Sequence, residues 1–210
     1  MPLSHFTERA AIKLLATDSR RADLSPYDLS RTHVALGRYL AYELLETLPL
    51  SPCPIQHPQG VRSGFCVAHE EDLLLLSLLR AGVYLTEGVR EVLRRAAVSY
   101  VHAHRERGMD EAEFGALPPL AGRTVVLCDA VVNTGATLVP VLRQVEDAAR
   151  IVVLSLVAPE DTARRLAADW PSVEFLYARL STNQYTGVGA TDTGNRLFGT
   201  LPGAGPKEPR

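Results

Sequence analysis

From residue 73 onward the chain alternates short, mainly apolar runs with longer segments of helical spacing. The runs are Leu73–Leu79, Val98–His104, Thr124–Cys128, Ile151–Val157 and Val173–Ala178. Their lengths and flanking breaks are those of strands buried within a sheet. Thr86–Arg95, Ala136–Ala148 and Glu160–Trp170 lie between them, each long enough for a crossover helix. The alternation therefore predicts an α/β chain: an open, mainly parallel twisted sheet flanked by helices.

Upstream, Ser25 is a good N-cap and Pro26 sits at the first helical turn. The stretch to about Leu48 then carries Leu29, Val34, Leu36, Leu40 and Leu44 at helical spacing. A long amphipathic helix is predicted there. Pro49, Pro52, Pro54 and Pro58 break it, with Gly60 and Gly64 close behind, so residues 49–70 form a connecting excursion holding a short strand or a hairpin. Pro202–Arg210 is a Pro- and Gly-rich tail.

Composition narrows the function class. The chain has 210 residues, 46% of them hydrophobic and 22% charged, which suits one folded domain and not a disordered chain. The net charge is −2 with acids and bases interspersed, so neither a nucleic-acid surface nor a polybasic membrane patch is indicated. Cys53, Cys66 and Cys128 are an odd number without metal-ligand spacing, which predicts a reducing, cytoplasmic setting. The start of the chain lacks a signal-peptide pattern, and Leu73–Leu79 is far too short to span a membrane.

Candidate chemistry lies after the third run. Residues Asp129 to Thr137 read D-A-V-V-N-T-G-A-T before a helical stretch begins. Unpaired backbone N–H groups at a strand-to-helix turn carry partial positive charge, and Gly135 lets the main chain approach a phosphate without a Cβ in the way. Thr134 and Thr137 add hydroxyls. A plain turn with Asp129 as turn residue and Thr134 as N-cap is the alternative reading of this loop taken alone. A nucleotide-hydrolase P-loop is excluded, because no Gly-Lys-[Ser/Thr] follows.

With its neighbours, this loop resembles the phosphoribosyl-pyrophosphate (PRPP) signature of type I phosphoribosyltransferases. Leu78-Leu79-Arg80-Ala81-Gly82 resembles the L-R-A-G strand end of the uracil phosphoribosyltransferases. The segment from Gly189 to Thr200 resembles their G-L-G-D-A-G-D-R-I-F-G-T ending, with Thr191, Thr193 and Asn195 as departures. Residues 38–43, 48–50 and 104–106 carry weaker likenesses, and apolar residues at 130 and 131 favour the uracil branch.

The resemblance implies the type I phosphoribosyltransferase fold with small hood or arm elements, in one domain spanning 1–210. Residues 1–70 would be N-terminal helices and a hood-like excursion, 71–180 the core sheet, 181–201 the base-binding loop and 202–210 the tail. It implies transfer of phosphoribose from PRPP to uracil, giving UMP and pyrophosphate, with Mg2+ entering on PRPP and Asp192 near its water. By the same resemblance Arg80, Arg105, Asp129, Ala130, Asn133, Thr134, Gly135, Ala136 and Thr137 bind PRPP. Tyr185, Thr186, Thr191, Asp192 and Thr193 bind the base, and Arg105, Asp129 and Asp192 are the catalytic set. A homodimer or tetramer is implied, while GTP regulation is not readable from these residues. A PRPP- or nucleotide-binding regulator, or an enzyme for another nucleobase, remains the alternative because Thr191 and Thr193 add bulk to the base loop.

Simpler readings compete at single residues. Arg80 alone could pair with Glu87; His102 and His104 share a strand face but lack a third metal ligand; Cys128 in an apolar run reads as core.

Overall fold

The computed structural model describes residues 3–103, 112–185 and 187–200. The strands are β1 (Leu3–His5), β2 (Leu50–His57), β3 (Gly60–Val67), β4 (Leu73–Leu78), β5 (Ala97–Ala103), β6 (Ala112–Phe114), β7 (Thr124–Val131), β8 (Arg150–Pro159) and β9 (Val173–Ser181). The helices are α1 (Ala10–Arg20), α2 (Pro26–Leu45), α3 (Val83–Val92), α4 (Leu138–Gln144), α5 (Glu160–Asp169) and α6 (Thr193–Phe198).

Seven strands form one sheet in the order β1-β9-β8-β7-β4-β5-β6, parallel throughout except for β6. All six residues of β4 are buried, as the continuous leucine run requires of a strand covered on both sides. One apolar layer joins Leu36, Leu40 and Leu44 of α2 and Leu85 and Val89 of α3 to Leu75, Val126 and Leu154 of the sheet. The other joins Leu142 of α4 and Leu166 of α5 to Leu74, Leu127, Val153 and Phe175. At the α2–α3 crossing, a Cβ on Gly88 would collide with the Val34 carbonyl, so glycine there sets the closeness of the two helices.

The prolines of 49–70 end α2, yet the segment forms a full hairpin, β2 against β3, apart from the main sheet. Pro52 and Pro54 are tolerated because a two-stranded ribbon leaves one side of each strand without a ladder partner. Three differences from the sequence expectation bear on function. β7 runs on through Val131, so Asp129 lies within the strand, paired with Ser155, and not at its end. The helix expected over 136–148 is shortened to Leu138–Gln144. β9 continues past Ala178 to carry Arg179 to the carboxyl edge.

The chain lays down β4 and then β5 on one side, and returns to place β7 on the other side of β4. Strand order therefore reverses between β4 and β7, and the crevice beyond their carboxyl ends is the expected ligand site of such a sheet. No helix among the described residues is long and apolar enough to cross a membrane.

Candidate active site

The turn after β4 and the turn after β7 meet at that reversal. Leu79–Arg80 is a cis peptide bond. Two residues on, a Cβ at Gly82 would strike the Cys128 carbonyl, so glycine lets the Arg80 turn lie directly against β7. Cys128 itself is fully buried, with its thiol pushed up to about 12 by desolvation. That is a core residue and not a nucleophile.

Beyond β7, residues 133–137 form an irregular turn into α4. Gly135 has φ +82°, the left-handed region that favours glycine, and an added Cβ would lie 3.0 Å from Leu166 Cδ2. The Ala136 N–H donates to Thr134 Oγ1 at 3.2 Å. Thr134 therefore closes the turn from within, while the first residue before α4 is Thr137, with no side-chain cap hydrogen bond. The turn is held from behind by α5: Thr162 Oγ1 donates to the Asn133 carbonyl at 2.9 Å and Arg165 donates to the Thr134 carbonyl at 2.7 Å. With these two carbonyls tied back, the loop is fixed in shape at the carboxyl edge of the sheet. Asp129 accepts from the Val131 N–H at 3.4 Å and is half-buried just below the loop.

Arg80 does not pair with Glu87, which lies by Arg90 instead. Its Nη2 donates to Asn195 Oδ1 at 2.6 Å, its Nη1 to Thr200 Oγ1 at 3.4 Å, and its guanidinium lies 5.9 Å from the Phe198 ring centroid. Asn195 in turn accepts from Thr200 at 2.8 Å and donates to the Gly189 carbonyl at 2.9 Å. The residue that departs from the family ending thus ties Arg80 to the 185–200 segment, a link that residue-by-residue comparison misses.

In that segment Asp192 caps α6, accepting from the Asn195 N–H at 3.0 Å. Tyr185 donates to the Thr191 carbonyl. The Thr191 hydroxyl both accepts from the Val188 N–H and donates to the Val188 carbonyl, each at 3.0 Å. Its bulk is spent closing a local turn, and Thr191 is not among the residues lining the cleft described next. Arg105 and Thr186 lie outside the described residues, as do His104 and residues 106–111. Residues 112–114 form β6.

A cleft of about 530 Å3 opens over the carboxyl ends of β7, β8 and β9. Four of the sequence-predicted residues line it: Ala130, Asn133, Tyr185 and Thr193. Sequence reasoning missed its other chemistry: the guanidinium groups of Arg20 from α1, Arg179 from β9 and Arg196 from α6, and the imidazole of His33 from α2. His33 is 3% exposed, and burial, with Arg196 nearby, lowers its pKa to about 4, so the imidazole is neutral. The one available sequence signal was a charge at 179 interrupting an apolar strand.

The family model for uracil phosphoribosyltransferase matches residues 6–200. This chain belongs to the uracil phosphoribosyltransferase family. It is 30% identical to a uracil phosphoribosyltransferase of Thermococcus kodakarensis, over 92% of this chain and 89% of that one. A uracil phosphoribosyltransferase of Methanococcus maripaludis is also 30% identical, over 87% and 84%. The solved AQ2163 protein of Aquifex aeolicus superposes with a TM-score of 0.79 at 25% identity, covering 95% of this chain and all of that one. At 10% identity, a hypoxanthine phosphoribosyltransferase of Staphylococcus aureus shares the fold with a TM-score of 0.50. The family makes the chain a phosphoribosyltransferase of the type I fold.

Proposed function

We propose that the protein transfers phosphoribose from PRPP to uracil, releasing pyrophosphate and forming UMP. One observation carries this reading. The crevice where strand order reverses gathers a glycine-bearing loop braced by α5, the exposed Arg80 and a cleft of about 530 Å3 along the carboxyl edge of the sheet.

In this reading the backbone of 134–137 holds the 5′-phosphate and Asp129 accepts from the ribose hydroxyls, with Ala130 and Asn133 beside them. Arg80 and Arg105 hold the pyrophosphate. A guanidinium suits that task because its fixed fork of donors matches phosphate oxygens and stays charged as the leaving group gains charge. Tyr185, Thr186, Thr191 and Thr193 shape the base subsite, Thr191 through its turn and not by contact. Little proton transfer is needed at C1, so rate acceleration comes from alignment and from charge stabilisation on the leaving group.

The described residues contain no cluster of three metal-ligating side chains. Mg2+ keeps its waters and binds through phosphates and one or two carboxylates. Asp192, an aspartate beside the Arg80–Asn195 pair, would hold its water shell. The ion would supply charge neutralisation on the diphosphate.

Mixing the protein with PRPP, Mg2+ and each nucleobase in turn, while following pyrophosphate release, tests the reading. Release with uracil is expected. Binding of PRPP without turnover of any base would contradict it and favour a regulatory role.

A further inference from the structure

The acceptor cleft has a charge that uracil in its neutral form does not use. Its walls carry three guanidinium groups, Arg20, Arg179 and Arg196, and its described lining includes no Asp or Glu. Two of these cations are partly committed: Arg20 Nε donates to the Ala16 carbonyl at 2.9 Å and Arg196 Nη2 to the Arg21 carbonyl at 2.6 Å. Arg179 pairs with β8 through its backbone, but its guanidinium has no hydrogen bond or ion pair among the described residues, and the residue is only partly exposed. Desolvation, followed by repulsion from Arg20, lowers its pKa. A partly buried cation with no counter-charge is costly, and a bound anion offsets that cost.

A second observation points to a ligand in the same place. His33 lines the cleft, and its Nδ1 is buried with no hydrogen-bond partner. A neutral imidazole nitrogen can donate to a ring carbonyl or accept from a ring N–H, according to its tautomer. The cleft thus offers one neutral polar group to read a ring edge and an unpartnered positive charge to meet an anion. Its volume of about 530 Å3 leaves room for a pyrimidine together with a ring substituent.

We propose that Arg179 is a specificity-determining residue that makes the cleft select a pyrimidine presenting negative charge. This rests on the transferase reading above. The charge has two chemical sources: an ionised ring N–H of uracil itself, or a fixed ring carboxylate as in 6-carboxyuracil. Against either, Arg179 supplies a charge-assisted contact that neutral uracil cannot return.

The experiment measures kcat/KM for wild type and Arg179→Gln with uracil and with 6-carboxyuracil, together with the KM for PRPP. The expected result is a loss of at least tenfold for the pyrimidine that is turned over, with the KM for PRPP within twofold. Loss on uracil alone assigns the ring ionisation; loss on 6-carboxyuracil assigns the carboxylate. Arg179→Lys, which keeps the charge, is expected to recover part of the loss, an effect that a purely structural role would not produce. Turnover of both pyrimidines unchanged in a folded Arg179→Gln would overturn this proposal and leave the transferase reading standing. Failure of wild type to release pyrophosphate with either pyrimidine would overturn both.

Discussion

The side of the crevice proposed to hold PRPP and the side proposed to hold the base are built in opposite ways. Residues 129–137 form a contiguous backbone cradle, braced by α5 through the Asn133 and Thr134 carbonyls. The cleft proposed for the base takes side chains from α1, α2, β9 and α6, residues up to 180 positions apart in the chain from Ala16 to Arg196. Phosphate recognition can be written into one short segment because main-chain N–H groups do the binding. Recognition of a base edge and its charge needs side chains converging from several elements, so it changes without disturbing the donor site.

The largest effect is expected from breaking the cradle. Gly135→Val places a β-branched residue at φ +82° against Leu166, a strain of about 1–3 kcal/mol. PRPP affinity should fall about a hundredfold while uracil contacts stay intact; unchanged affinity by calorimetry would move the phosphate elsewhere.

Arg80, proposed to hold the pyrophosphate, is tied to Asn195 of the 185–200 segment, so its removal should be felt by both sides. Arg80→Ala is expected to lower kcat/KM roughly a hundredfold, the scale of losing a charge-stabilising donor. Asn195→Ala frees the guanidinium from its 2.6 Å tie, and removes the bonds to Thr200 and the Gly189 carbonyl, and should cost roughly tenfold. Equal losses would make Asn195 a direct participant.

The acceptor side also sets a pH dependence. The pKa of His33 is lowered from 6.5 to about 4, so between those values the unfolded chain binds a proton that the folded protein refuses. Stability is full above pH 6.5 and falls as pH drops towards 4, by up to about 3 kcal/mol. Denaturant unfolding should show that slope in wild type and lose it in His33→Leu.

The smallest effect belongs to Thr191→Val, which removes two bonds to Val188. About 1 kcal/mol of stability and a few-fold rise in the KM for uracil are expected. A gain in uracil affinity would mean that the threonine does crowd the base.

The same contrast explains what could be read from sequence. Sheet strands and the Asp129–Thr137 loop were legible, because continuous apolar runs and a glycine-bearing loop are local signals. The apolar run Thr124–Cys128 stops short of Asp129 because aspartate is rare in strands, yet the pairing of Asp129 with Ser155 carries β7 on to Val131. β1 has three residues at a sheet edge, and α1 buries little beyond Ile12 and Ala16, too few positions to announce either element. The tie between Arg80 and Asn195 spans 115 residues, and His33 reads as an ordinary helix residue until the fold buries it. Long-range convergence of this kind leaves no local pattern.

Calorimetric titration of magnesium–PRPP, without base, into wild type, Gly135→Val and Arg179→Gln tests the division most directly. The account predicts that wild type and Arg179→Gln bind equally and that Gly135→Val binds at least tenfold more weakly. Equal weakening in both variants, or no binding by wild type, would contradict it.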